Sequence, residues 1–132
     1  MALNYQTGDE GMFYNRGKFV SNNHTGYLLK PACLRDDSPP TPGFKLQIHV
    51  CGAAHLPKPG GSKKGEVIDP YVEVEIFSSE SRSISDATVA IDNNGFDPQW
   101  NSVLSFRVPE PDHAMVLFKI MDNDQLGTCF LS

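Results

Sequence analysis

The sequence predicts an all-β fold, an antiparallel sandwich, and three observations carry that prediction. From Phe44 onward apolar and polar residues alternate in short runs, the period-2 pattern of strands that bury one face. Turn formers are dense, with 11 glycines and 10 prolines in 132 residues, and many fall between those runs. No good amphipathic helix accompanies the runs, so the sheets must pack on each other. Hydrophobic residues make up 39% of the chain, enough for the core of one ordinary domain.

The first section reads differently. Ala2-Leu3-Asn4-Tyr5 is a possible strand, a weak glycine-interrupted helix falls within Glu10 to Phe19, and Tyr27-Leu28-Leu29 precedes Pro31. The section is too short to bury a core of its own. Arg35 to Gly43 then carries three prolines, a glycine and two acids with no apolar periodicity, which marks a linker.

The strands follow. Phe44, Leu46, Ile48 and Val50 face one way against Lys45, Gln47 and His49. Val72, Val74 and Ile76 alternate with Glu73 and Glu75, Thr88 to Ile91 forms a short run, and Leu104, Phe106 and Val108 another. Val116, Phe118 and Ile120 lead directly into Asp122. Turns are expected over Pro57 to Gly65, Ser78 to Asp86, Asn93 to Pro98 and Pro109 to His113.

Composition removes several function classes. A net charge of -5 argues against a general nucleic-acid binder, whose footprint is net-basic. No apolar run approaches the ~20 residues of a spanning helix, and Met1 to Glu10 lack the basic start and apolar stretch of a secretory leader. Three cysteines, Cys33, Cys51 and Cys129, leave one over under any pairing and read as free thiols in a reducing cytosol. Asn23-His24-Thr25 fits a glycosylation tripeptide, a pattern that chance supplies often and that means nothing without a secretory route.

Three oxygen-rich turns flank the alternating runs: Ile68 to Glu75, Asn93 to Trp100, and Asp122-Asn123-Asp124. A sandwich that brings them to one end makes a candidate calcium site, because calcium takes about 6 to 8 oxygens from carboxylates, carbonyls and water. Asp122 and Asp124 leave a strand at i and i+2, Asp69 enters another ahead of Pro70, and Asn93 adds a further oxygen. Asx residues are also simply good turn formers, and spacing alone does not separate the two readings. Lys58, Lys63 and Lys64 on the first loop suit an anionic membrane, where each charge near the surface is worth roughly 1 kcal/mol. They equally suit a solvated loop. Leu126 and Phe130 are the apolar tips available for insertion, whereas Phe96 and Trp100 are expected to pack in the core.

Asp69-Pro70-Tyr71-Val72-Glu73-Val74, Asn94-Gly95-Phe96-Asp97-Pro98-Gln99-Trp100-Asn101 and Asp122-Asn123-Asp124 resemble, in order and spacing, the calcium-binding loops of a C2 domain. Met1 to Thr7, Asn22 to Pro31 and Leu34-Arg35-Asp36 resemble the end of the Y half of the barrel of eukaryotic phosphoinositide-specific phospholipase C. In that family the barrel leads into a C2 domain, an order more specific than either part. The resemblance implies residues 1–36 as a strand and helix remnant of a TIM-like α/β barrel, 37–43 as linker, and 44–132 as an incomplete C2-type sandwich.

The resemblance also implies an enzyme that cleaves phosphatidylinositol 4,5-bisphosphate into diacylglycerol and inositol trisphosphate. It would be cytoplasmic and peripheral on the inner face of the plasma membrane, with calcium as cofactor. Its partners would be anionic phospholipid, the phosphoinositide substrate and the remainder of the phospholipase chain. The family's catalytic histidines and metal ligands match nothing here: His24, His49, His55 and His113 carry no catalytic motif and read as surface histidines. Of about five aspartate ligands usual in calcium-binding C2 domains, only Asp69, Asp122 and Asp124 align. Pro57-Lys58-Pro59 stands at an earlier ligand position and Cys129 at a late one, which implies weak binding strengthened by lipid phosphate. A calcium-independent structural role and a stand-alone adaptor remain as alternatives. Phe44 to Ser132 is also short for a sandwich of roughly eight strands, so missing closing strands, an open edge and marginal solubility are expected.

Overall fold

The computed structural model describes residues 4–58, 67–78, 83–123 and 128–129. Helix α1 spans Glu10–Val20 and α2 spans Ala32–Arg35; the strands are β1 (Phe44–Gly52), β2 (Pro70–Phe77), β3 (Ile84–Ala87), β4 (Gln99–Val108), β5 (Met115–Asp122) and β6 (Thr128–Cys129). A 3-10 turn over Pro111–His113 precedes β5.

α1 forms where the sequence allowed a weak helix, and its start explains why it holds despite Gly17. The Asp9 side chain accepts from the Met12 N–H at 3.0 Å, an N-cap, while Glu10 and Lys18 sit at the ends the helix dipole favours. The suggested strand at the start does not extend to Tyr5, which lies in a turn; Ala2 and Leu3 are outside the described residues.

Two antiparallel sheets face each other, β1-β4 and β3-β2-β5-β6. Val72, Val74 and Ile76 of β2 meet Trp100, Leu104, Phe106 and Val108 of β4, with Leu46, Ile48, Val50 and Ile120 packed around them. The sandwich is the predicted one, and the alternations in β1, β2 and β4 place those apolar residues inward. Between β1 and β4 the register shifts by a bulge at Val50/Gly52, where Asn101 takes φ 47. At Gly52 a Cβ would stand 2.7 Å from the Pro98 carbonyl oxygen, so only glycine fits this approach.

Two assignments change. The strand expected at Thr88 to Ile91 lies earlier, at Ile84–Ala87, most of it within the expected Ser78 to Asp86 turn. It is exposed throughout and carries no apolar alternation, so periodicity had nothing to detect. Thr88 then extends the pairing with its side chain: its N–H donates to the Val72 carbonyl at 2.9 Å and its Oγ1 accepts from the Val72 N–H at 3.0 Å. The second change concerns Glu75, which the alternation places on a polar face. It is 5% exposed, because α1 covers that face of the sheet.

The segment before β1 is irregular yet tethered. Thr41 donates through its N–H and hydroxyl to the two oxygens of Asp112, at 2.8 and 2.7 Å. Those hydrogen bonds hold the Asp112 carboxyl below the usual carboxylate range.

Candidate functional site

β2 begins and β5 ends at the same edge of the sandwich, with Pro70 paired opposite Asp122. Antiparallel register therefore brings Asp69 and Asp122 together from positions far apart in sequence. The Asp69 N–H donates to Asp122 Oδ1 at 3.0 Å, and the Asp69 carbonyl accepts from the Asn123 N–H at 3.1 Å. Asn93, in the left-handed region at φ 52, donates its N–H to Asp69 Oδ1 at 2.5 Å. Asparagine is among the few residues that adopt this conformation readily.

Both carboxylates are largely sheltered from water, Asp69 at 9% and Asp122 at 7% exposure. Each carboxylate is already oriented by a backbone N–H, so a dication arriving at this end would meet fixed anionic oxygens. Hard carboxylate oxygens are the donor chemistry calcium takes, so the pair fits as part of a shell and supplies only part of it. Among the described residues no group of three or more His, Cys, Asp or Glu gathers as a metal site.

Asp69, Asn93 and Asp122 are thus brought together, and Asn93 enters by orienting the Asp69 carboxylate through its backbone. Asp124, Lys63, Lys64, Leu126 and Phe130 lie outside the described residues. Lys58 is half-buried at this end of the molecule. Its loop is zipped to the Asn93 loop by three backbone bonds: Ala53 N–H to Pro98 at 3.0 Å, His55 to Phe96 at 2.8 Å and Leu56 to Gly95 at 2.8 Å. With His55, Val67, Ile68 and Phe96, Lys58 lines a shallow cavity of about 370 Å³.

The expectation for the two aromatics holds for Trp100 alone. Trp100 is buried and its Nε1–H donates to the Pro70 carbonyl at 3.2 Å, which ties β4 to the entry of β2 beside Asp69. Phe96 is 69% exposed, standing edge-on to His55 with ring centroids 4.4 Å apart. Gly95 is pressed so close to Ile68 that a Cβ would stand 2.6 Å from its Cγ1, and the chain turns Phe96 outward there. Asp97 fixes the turn, its N–H donating to Asn94 Oδ1 at 3.1 Å and its carboxylate accepting from Gln99 Nε2 at 2.7 Å. An aromatic two residues before a proline carries no sequence signal that tells an inward turn from an outward one.

Sequence reasoning also missed a polar cluster on the other face of β2 and β5. Lys119 Nζ lies 2.8 Å from Glu75 Oε2 and 3.7 Å from Glu73 Oε1, and the Tyr14 hydroxyl donates to Glu75 Oε1 at 3.5 Å. Burial pushes the Glu75 carboxyl up, but hydrogen bonds from Lys119, Ser83 and Tyr14 and the Lys119 charge hold it below its ordinary value. Burial likewise pushes Lys119 down, and its acidic neighbours more than reverse that. The cross-strand pairing Glu73↔Lys119 in this register is the only trace of it in the sequence.

Residues 44–131 match the family described as C2 domain, and residues 1–33 match the family described as Phosphatidylinositol-specific phospholipase C, Y domain. Human 1-phosphatidylinositol 4,5-bisphosphate phosphodiesterase eta-1 is 38% identical over 143 residues, covering 99% of this chain and 8% of that protein. Human delta-3 is 37% identical over 131 residues, covering 94% of this chain and 17% of that protein. The Dictyostelium discoideum enzyme of the same name is 38% identical over 138 residues, covering 96% of this chain and 17% of that protein. The chain thus spans less than a fifth of the length of each of these relatives. Among solved structures, the C2A domain of plant Extended Synaptotagmin 1 is 27% identical, with a TM-score of 0.48, over 68% of this chain and 63% of that one. The chain belongs to the C2 domain family, and its C2 domain follows a section of a phosphatidylinositol-specific phospholipase C Y domain.

Proposed function

We propose that the chain is part of a phosphoinositide phospholipase C and that its C2 domain docks that enzyme on anionic phospholipid with the help of calcium. The single observation that carries the docking reading is the sheltered carboxylate pair, Asp69 and Asp122, at one end of the sandwich. The relatives' names describe phosphodiesterases acting on 1-phosphatidylinositol 4,5-bisphosphate, and we assign the same substrate, cleaved to diacylglycerol and inositol 1,4,5-trisphosphate, to the polypeptide that carries this chain. Residues 1–36 belong in this reading to the catalytic barrel, 37–43 to a linker and 44–132 to the C2 domain. The chemistry resides in the barrel, and this chain positions it at the inner face of the plasma membrane.

Asp69, Asp122 and Asp124, with Asn93, would hold the calcium, which would link the domain to lipid phosphate through open coordination positions. Lys58, Lys63 and Lys64 add attraction to an anionic leaflet. Among the described residues no helix is long and apolar enough to cross a membrane, which accords with peripheral attachment.

The test is co-sedimentation of the full chain with phosphatidylserine-containing vesicles in calcium or in chelator. Greater pelleting in calcium, lost in the double variant Asp122→Asn, Asp124→Asn, is the expected result. Equal pelleting in both conditions, or no loss in the double variant, overturns the calcium-assisted reading and leaves the C2 domain as a structural support.

A further inference from the structure

α1 lies on the outer face of the β2-β5 sheet, and what holds it there is unusual for a helix on a sheet. The apolar contact is sparse: Met12 is the one buried residue of α1, and the Tyr14 ring stacks on Phe77 at 4.0 Å. Beside that stack a cavity of about 610 Å³ opens between α1 and β5, lined by Phe13, Gly17, Val20, Met115 and Phe118 among others. Such a poorly filled contact gives dispersion little to hold on to and does not by itself select one seating of the helix.

The polar contact joins a short pair within the sheet, Lys119 to Glu75 at 2.8 Å, to the helix by a longer one, Tyr14 to Glu75 at 3.5 Å. Glu75 is 5% exposed, and its carboxylate is held between Lys119 on β5 and the Tyr14 hydroxyl on α1. Glu73, opposite Lys119 in the ladder, adds a second carboxylate to the same ammonium. A sheltered carboxylate is tolerated only when its partners are in place, so a shift of α1 along the sheet would strip Glu75 of one of them.

We propose that Glu75 and Lys119, closed by Tyr14, form a lock that seats α1, and with it the Y-domain section, in one orientation on the C2 sheet. The lock acts on the strands that end at the candidate calcium site: Glu73↔Lys119 lies three register positions from Pro70↔Asp122, roughly 10 Å along β2 and β5. The same two strands therefore fix both the loops that meet the lipid and the helix that belongs to the barrel. The inference deepens the positioning role proposed above and rests on it for its purpose, while the lock itself involves neither Asp69 nor Asp122.

Hydrogen exchange with mass-spectrometric detection, on the full chain in chelator, tests it independently of any calcium binding. Glu75→Gln and Lys119→Met each remove one partner of a sheltered pair and are expected to speed exchange of the Phe13 to Val20 amides at least tenfold. β4 amides should keep their wild-type rates. The double variant Glu75→Gln, Lys119→Met removes the same lock that either single variant already opens, so its α1 exchange is expected to be no faster than that of the faster single variant and the two effects do not multiply. Unchanged α1 exchange in both single variants, or effects that simply multiply in the double variant, overturns the lock. Where a single variant also loosens β4, the double variant decides by the same criterion, α1 effects that multiply or do not.

Discussion

Asp122 holds two properties that a pair of substitutions can separate, a hydrogen-bond acceptor and a negative charge. Its Oδ1 takes the Asp69 N–H at 3.0 Å, and both residues are under 10% exposed. Asp122→Ala leaves that N–H without its acceptor in a place water reaches poorly, a loss of about 1 to 3 kcal/mol. For a domain of this size a loss near 2 kcal/mol lowers Tm by roughly 8 to 16 °C. Asp122→Asn keeps an oxygen where the N–H points and removes the charge, so if that hydrogen bond holds the loop its stability in chelator should stay within about 0.5 kcal/mol of wild type. Calcium at about a hundred times its Kd should raise the wild-type stability by about 2.7 kcal/mol and move the Asn variant much less. Scanning calorimetry of the three proteins with calcium or chelator reads all of this. If Asn and Ala fall equally in chelator, charge and not the hydrogen bond holds the loop, and the geometric reasoning fails.

Gly95→Ala should lower stability by about 1 to 3 kcal/mol, since the new methyl would meet the Ile68 side chain at 2.6 Å and crowd the residue before Asp69; urea unfolding checks this. Phe96→Ala, at an exposed site, should change urea stability by less than about 0.5 kcal/mol, and vesicle binding about tenfold weaker would show that the aromatic meets lipid. Acid should release α1 before alkali does in the ordinary working range. The groups facing one another there are Tyr14 and Glu10 on α1 and Glu73, Glu75 and Lys119 on the sheet. Glu75 is lowered, so its contribution is present above the usual carboxylate range and lost as pH falls through its native value. Lys119 is raised, so its contribution is present below the usual lysine value and lost only as pH rises past that. Exchange of α1 amides, corrected for intrinsic rates, should be flat from about pH 5 to 9 and rise below about pH 4.

The sandwich was legible because burial of one face writes a period of two into β1, β2 and β4. β5 carries the same alternation at Val116, Phe118 and Ile120, yet Val116 and Phe118 are 42% and 49% exposed, so there the pattern marks a strand without marking a covered face. β3 was not legible, because an exposed edge strand has no face to bury and leaves no such mark. Of the candidate site, Asp69, Asn93 and Asp122 could be named because turn chemistry and ligand chemistry favour the same residues. Their order in space depends on the β2-β5 register, which long-range pairing decides. Glu75 shows the remaining limit: its position in the alternation says solvent, and only a helix arriving from sixty residues upstream buries it. Phe96 failed for the opposite reason, a local one, since the close approach of Gly95 to Ile68 decides which way the next side chain turns.

The Thr41–Asp112 bidentate contact has a mechanical consequence. A pull on the chain from its amino-terminal section reaches the turn before β5 through two short hydrogen bonds before it loads the β1-β4 ladder. Tension would then be shared between both sheets from the outset, dividing at Asp112.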